Sequence, residues 1–511
     1  MRIAVIGGGP AGVFAAGNAA DVSGGEVVLF EKNSKPLKKL FITGKGRCNI
    51  TNACSEREFL ANVVRGERFL FSAINAFSPD DTAAFFRSYG LELKVERGGR
   101  VFPASDKSSD IVKVFLRFLK DKNVAVYPNC AVLDVSKNAN GKFAVRVRGQ
   151  GVEAYIGANF KNANRGLKND PMKYAGGNAE SGITKYAGEK ITAEFNGRNN
   201  DIKYADGDSE SANTNVKNRD GEYAGVNLRN ANLNSKDDCG EYDACGDGEC
   251  YELVFDKVVI ACGGLSYPAT GSDGDGYKFA AAFGHKIVEP RPALTSITVV
   301  QDVRELEGLS LKNVTAAAVF GGREIFKEFG EMLFTADALS GPIILSLSSR
   351  INRMNFEKLK IAIDLKPALS EDALDGRLLR DFKDAVNKNF SNSLDRLLPK
   401  SLIRYIIKES DIPPYTKVNE ISRIKRNNLV KILKNLTFDA VGLGAVEDAI
   451  VTSGGVDLKE INPKTMESKL VKNLYFVGEV LDADALTGGF NLQTALSTGF
   501  VCGRSGLCAE G

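Results

Sequence analysis

The sequence predicts an α/β protein, built on a Rossmann-like nucleotide-binding domain that other modules interrupt. Three observations predict it: a glycine turn between strand and helix at the N-terminus, a second strand ending in an acid, and another strand-glycine-helix unit near the C-terminus. The apolar run Ile3 to Ile6 enters the turn Gly7-Gly-Gly-Pro-Ala-Gly12 and leaves into the helical run Val13-Phe-Ala-Ala16. Gly7 permits a tight turn, Gly9 lets backbone approach a pyrophosphate, and Gly12 lets the helix lie against the strand. Pro10 suits the first helical turn, where its missing N–H costs nothing, and Ala11 follows it. The helix start then offers unpaired N–H groups to phosphate oxygens. Strand Val27 to Phe30 ends in Glu31, and an acid about 20 residues beyond the glycines is placed to hydrogen-bond a ribose hydroxyl.

The first 148 residues read as alternating strand and helix. A basic, glycine-rich loop runs from Lys35 to Asn52, where Lys38, Lys39, Lys45 and Arg47 either neutralise phosphate or simply face solvent. Ser105 and Asp106 are placed to cap a helix through Ile111 to Leu119, and strands follow at Ala131 to Val135 and Phe143 to Val147. From 149 to 250 the chain is rich in Asn, Gly, Asp and Lys, with irregular Tyr-Ala echoes. Such composition buries too little apolar surface to offset chain entropy, which predicts a largely disordered insertion between two strands. Cys239, Cys245 and Cys250 fit no zinc spacing. Order returns over Glu252 to Ala261, with a strand at Val258 to Ala261, and 251–289 continue the nucleotide domain through a second glycine-rich turn, Cys262 to Gly276.

Short β-rich runs over 290–366, such as Leu294 to Val300 and Val314 to Phe320, predict a β-barrel or sandwich. Helical periodicity takes over in 367–440. Lys417, Arg423, Lys425, Arg426, Lys431 and Lys434 make that stretch basic, as a solvated face or a polyanion-binding one. The span 441–511 returns through the barrel edge to the strand Leu474 to Glu479 and the helix starting at Gly489.

Bulk properties narrow the class. With 511 residues the chain is long enough for two or three domains, and a net charge of +3 announces no nucleic-acid binder as a whole. No apolar run is long enough for a membrane span or a signal peptide, so a cytoplasmic protein with no membrane contact is expected. Nine cysteines form no CxxC pair, and no metal site is expected. The single histidine, His285, leaves no room for histidine-rich chemistry and reads as structural, so any difficult chemistry falls to a cofactor.

Several motifs recur in a fixed order: the Gly7 to Gly12 turn, Gly44-Lys-Gly-Arg-Cys-Asn-Ile-Thr-Asn52, Arg100-Val-Phe-Pro103, Phe334-Thr with Ser340-Gly-Pro342, Gly454-Gly-Val456, Thr465-Met-Glu-Ser-Lys469, Gly478-Glu-Val-Leu-Asp482 and Gly488-Gly-Phe-Asn-Leu-Gln493. In this set the chain closely resembles the YhiN-like, or BaiN/RdsA-type, FAD-dependent oxidoreductases, a family that also includes aminoacetone oxidase-type enzymes. The resemblance spans nearly everything but 149–250. One departure is Ala336, where relatives commonly carry a histidine.

The resemblance implies FAD rather than NAD at the first turn, in a Rossmann-like FAD-binding domain with an inserted β-barrel and a helical subdomain. It implies that Glu31 holds the adenosine ribose with Lys32 beside it, and that the loop of Lys39, Arg47 and Cys48 covers the cofactor. Val132, Ala261, Gly263 and Gly264 would pass near it. Gly478, Glu479 and Asp482 would serve its ribityl-pyrophosphate part, with Gly489, Phe490, Asn491, Leu492 and Gln493 beside the isoalloxazine. The implied reaction is NAD(P)H-dependent reduction of an activated C=C bond, in an unsaturated small molecule or in an rRNA uridine reached through the basic helical stretch. NAD(P)H would bind transiently, since no second nucleotide domain is visible. A flavin amine oxidase and a non-enzymatic flavin redox sensor are the alternatives. Cys48 is the candidate proton donor, because Arg47 and Lys45 are placed to perturb its thiol; a packed loop residue is the other reading.

Overall fold

The computed structural model describes residues 1–149, 183–186 and 250–508. Five parallel strands form the central sheet, in the spatial order Leu474–Phe476, Lys257–Ile260, Arg2–Ile6, Glu26–Phe30, Ala125–Tyr127. Numbered along the chain this is 5-4-1-2-3, the doubly wound order, with its switch point between the first and fourth strands. Ile6 is in register with both Phe30 and Ile260, and Ile260 with Phe476. The strands therefore end together, and Gly7, Glu31, Ala261 and Val477 share the carboxyl edge where such sheets bind ligands. These strands are nearly continuous apolar runs because helices cover both faces.

Helix Pro10–Val22 packs against the C-terminal helix Phe490–Val501. Glycine makes that crossing close: a Cβ on Gly499 would lie 2.5 Å from the Ala11 carbonyl oxygen, and one on Gly503 2.6 Å from Asn18 Cβ. The two ends of the chain thus form one unit. Helix Ser108–Asp121 packs on the first helix through Phe118, whose ring is 5.6 Å from Phe14. Neither Ser105 nor Asp106 caps it. Lys107 is the N-cap, Ser105 bonds Asp110 at 2.7 Å, and Asp106 turns with φ +57 to pair with Lys94 and Arg47.

Phe143–Gly149 and Cys250–Phe255 pair antiparallel, with Arg148 opposite Cys250, so the 149–250 segment joins two neighbouring strands. Apart from the strand Ile183–Tyr186, the expectation of disorder there lies outside the described residues, as do Cys239 and Cys245. Order returns over this stretch in two strands, Cys250–Phe255 and Lys257–Ile260, parted at Asp256. Its carboxylate accepts the Arg2 N–H at 2.6 Å, and the chain crosses there from the antiparallel sheet to the parallel one.

Six strands close the barrel: Ile297–Val299, Ala338–Ser340, Arg323–Phe334, Ser310–Phe320, Leu359–Asp364 and Leu436–Leu443. Two features correct the sequence reading. Helix Pro342–Ile351 lies inside the β-rich stretch, burying Ile343, Ile344, Leu347 and Ile351 in the barrel core. The last barrel strand follows the helices Glu371–Asp384, Lys400–Glu409 and Arg423–Lys434, so the helical module is itself an insertion between barrel strands. Among the described residues no helix is long and apolar enough to cross a membrane.

Candidate active site

A cavity of ≈ 1490 Å³ follows the carboxyl edge of the parallel sheet and reaches the barrel. Ligand pockets commonly span about 300–1,000 Å³, so this one has room for an extended dinucleotide and a second molecule. Gly7, Gly9, Pro10 and Ala11 line it at one end. Each glycine of the turn has its own reason. A Cβ on Gly7 would lie 2.4 Å from the Ala261 carbonyl oxygen, and one on Gly12 2.0 Å from that of Gly7, whereas one on Gly9 would meet nothing within 4 Å. Gly12 does not line the cavity; it seats the helix. Gly9 is the N-cap of Pro10–Val22 and no side chain caps that end, so the first N–H groups stay available to an anion.

Glu31 lines the cavity and is 7% exposed. Its Oε2 accepts the Gly8 N–H at 2.9 Å, and its Oε1 accepts both the backbone N–H and the side-chain amide of Asn33 at 2.7 Å. A carboxylate has about four acceptor positions, so one remains for a ribose hydroxyl. Lys32 lines the cavity too, but its charge is spent on Asp273 at 2.5 Å and Asp275 at 2.9 Å. Burial works against that charge, and the two carboxylates outweigh burial and hold the ammonium above its usual range.

The second half of the wall comes from the C-terminal end: Gly478, Glu479, Gly489, Phe490, Asn491 and Leu492, with Ala261, Gly263 and Val132 beside the first turn. Gly489 (φ +96) is the N-cap of Phe490–Val501, again with no side-chain cap. The cavity therefore has two open helix starts. Lys39 joins the halves: its Nζ is 3.0 Å from Glu479 Oε2, while Glu479 Oε1 accepts the Thr452 N–H at 2.9 Å. Arg47 also lines the wall, stacked 4.2 Å over Phe102 and paired with Glu96 at 2.8 Å.

Besides Gly12, four expected residues stand outside the cavity. Cys48 is fully buried with φ +59, and burial pushes its thiol up to about 12. Arg47 turns to carboxylates instead of activating it, so the thiol is a packed one. Gly264 faces Thr452, where a Cβ would lie 2.5 Å from Oγ1. Asp482 is held bidentately by Arg65, at 2.8 and 2.6 Å. Gln493 is fully buried: it accepts from Thr51 Oγ1 at 2.6 Å and donates to the Phe77 carbonyl at 3.1 Å. Asn491 reaches the cavity, yet its amide is committed to the backbone of Ala485, at 2.9 and 2.7 Å. These side chains shape the wall and leave contact to the backbone around them. His285 is structural as well, between Glu460 at 3.0 Å and Ser468 at 2.8 Å.

The cavity also holds Asn49, which belongs to the Gly44 to Asn52 motif but was given no role there, and four side chains outside the motifs: Cys54, Arg97, Phe329 and Thr494. Asn49 Oδ1 and Thr494 Oγ1 are buried and have no hydrogen-bond partner among the described residues. Unsatisfied buried polar atoms lining a cavity fit a polar ligand there. Thr494 directly follows the Gly488 to Gln493 motif, which is the one signal that pointed to it. With two open helix starts, a glycine-cleared approach and unpaired oxygens, the residues fit a dinucleotide cofactor of FAD size.

Fold and site together define a Rossmann-type flavoprotein oxidoreductase with an inserted closed barrel. The chain belongs to the family described as HI0933-like protein Rossmann domain, whose model matches residues 1–156 and 232–505. It is 24% identical over 509 residues to a 3-dehydro-bile acid delta(4,6)-reductase of Clostridium scindens, covering 99% of this chain and 98% of that protein. It is likewise 24% identical over 511 residues to a ribosomal RNA dihydrouridine synthase of Escherichia coli, covering 99% and 98%. A ribosomal RNA dihydrouridine synthase of Haemophilus influenzae is 34% identical over 253 residues, 49% of this chain and 60% of that one. The resemblance drawn from the motifs is thereby borne out.

Proposed function

We propose that this protein binds FAD across both halves of the cavity and uses electrons from NAD(P)H to reduce an activated carbon–carbon double bond. The observation that carries the reading is the pair of uncapped helix starts, at Gly9 and Gly489, on one cavity. Gly9 and the N–H groups after it hold the pyrophosphate, Glu31 the adenosine ribose, and Gly478 and Glu479 the ribityl chain. Bound FAD supplies hydride transfer. The start of Phe490–Val501 favours negative charge beside it, by up to about 2 kcal/mol in a partly buried geometry. About 1.4 kcal/mol corresponds to roughly 30 mV for two electrons, so this helix tunes the potential without setting it alone.

Two relatives matched over 98% of their length support the reaction class, since a Δ4,6 reduction and dihydrouridine formation both add hydrogen across a conjugated C=C bond. The substrate is therefore an rRNA uridine or an unsaturated small molecule. Of the six basic residues that form either a solvated face or a polyanion-binding one, Arg426 pairs with Asp375 at 2.6 Å, Lys434 with Asp364 at 2.6 Å, and Lys417 bonds the Asn387 carbonyl at 3.0 Å. An RNA route over this module thus depends on Arg423, Lys425 and Lys431. The test is to reconstitute the full chain with FAD, reduce it anaerobically with NADH or NADPH, and add unmodified 23S rRNA transcript or a 3-oxo-4,6-diene steroid. Flavin reoxidation with formation of the saturated product is expected with one of them. A flavin that neither nicotinamide reduces contradicts the reading.

A further inference from the structure

We propose that Cys54 is the proton donor of this reaction, protonating the α-carbon of the substrate from the cavity wall beside Gly488 and Gly489. The inference rests on the reading above as a C=C reductase. Adding hydrogen as a hydride and a proton needs a protein group that still carries its proton, near the end of the cavity where Gly489 lies. Backbone contacts bring Cys54 to that end. A Cβ on Gly489 would lie 2.4 Å from the Thr51 carbonyl oxygen, and Asn52 Nδ2 donates to the carbonyls of Gly488 at 3.0 Å and Gly98 at 2.9 Å. The Cys54 N–H in turn donates to the Asn52 carbonyl at 2.9 Å, and Cys54 lines the cavity. An independent sign of a polar ligand in the same cavity is Thr494, 5% exposed, on the helix that starts at Gly489. Thr494 lines the cavity, and its buried Oγ1 has no partner among the described residues.

Other groups serve this step less well. Cys130 and Cys262 also line the cavity, but at the opposite end: the Cys130 N–H bonds the Glu31 carbonyl at 2.9 Å, and Cys262 Sγ bonds that of Ile6 at 3.5 Å. Glu58 is exposed, and the N–H and hydroxyl of Ser55 hold its carboxyl below the usual range, so it carries no proton at neutral pH. Burial first, then the charges of Glu58, Glu56 and Asp80, push the Cys54 thiol up to about 11, which keeps it protonated. In the step itself the hydride pair enters the β-carbon, a C–H bond forms at the α-carbon as the Cys54 S–H bond breaks, and the thiolate recovers its proton from water. The two electrons come from NAD(P)H through the bound flavin.

The test uses the full chain reconstituted with FAD, as wild type, Cys54→Ala and Cys54→Ser. Flavin affinity and reduction by NAD(P)H should match wild type in both variants. Reoxidation by the substrate that wild type accepts, 23S rRNA transcript or 3-oxo-4,6-diene steroid, should fall about 10²-fold or more in Cys54→Ala and less in Cys54→Ser. In wild type this step should slow as the thiol ionises at alkaline pH, and that limb should vanish in Cys54→Ala. As a readout apart from turnover, iodoacetamide at alkaline pH, where the thiolate forms, should alkylate Cys54 but not the sealed Cys48, and the steroid or transcript should protect Cys54. A Cys54→Ala protein reoxidised at the wild-type rate with the wild-type pH profile overturns the proposal alone. A wild type that neither substrate reoxidises overturns the reading of the reaction and the proposal with it.

Discussion

At the residue scale, burial decides what a side chain near this site does. Cys48 and Cys54 lie six residues apart, and the local charges around Cys48 made it look the more reactive; packing seals Cys48 and leaves Cys54 on the wall. Nothing in the one-dimensional pattern separates the two. Asp482 and Gln493 taught the same lesson, since their motif does surround the site while their side chains brace it. Asp484 offers a pH test. It is 1% exposed, accepts from Ser453 Oγ at 2.8 Å, and burial is the first cause pushing its carboxyl up to about 6 from 3.8. A carboxyl raised by folding binds more protons in the folded chain, so its contribution to stability falls as pH rises from about 4 to about 6 and is level above that. Asp484→Asn keeps an acceptor for Ser453 and removes the ionisation. It should raise Tm at neutral pH, with a ceiling of about 3 kcal/mol, and flatten that slope; thermal melts across the window check both.

Among elements, the strand-glycine-helix turn was legible from its spacing: Gly7 and Gly12 sit against backbone, and Gly9 borders open space. The two that differ most give a paired prediction. Gly9→Ala points its methyl into the open cavity, so it should keep the wild-type Tm and weaken FAD binding by about tenfold or more, a loss of about 1.4 kcal/mol. Gly12→Ala places its methyl on backbone, so it should lower Tm by several degrees as well as weaken FAD. Melting curves and flavin titrations on both proteins separate the two roles. Helix Pro342–Ile351 was not legible, since four apolar residues beginning at a Gly-Pro step inside a β-rich stretch read equally as a strand.

For the whole molecule, the site is assembled from chain ends some 440 residues apart, and Lys39 to Glu479 is the visible clasp. Lys39→Ala should leave the fold intact and weaken FAD by a few-fold, because a pair about one-fifth exposed on each side contributes only about 1 kcal/mol. The return of the C-terminal strand and helix to the first domain could be read from the repeated strand-glycine-helix order. The nesting of helices inside the barrel could not, because closure by Leu436–Leu443 is a pairing with Leu359–Asp364 across the whole helical module. Since Arg148 already lies opposite Cys250, replacing 150–249 with a short glycine-serine linker should preserve flavin binding and the melting profile. One FAD site that drives C=C reduction is tested most directly by anaerobic single turnover. Protein reduced by NADH or NADPH is mixed with 23S rRNA transcript or with a 3-oxo-4,6-diene steroid. Reoxidation of the flavin matched by an equal amount of saturated product is the predicted result; a reduced flavin that ignores both substrates and is rapidly reoxidised only by air contradicts it.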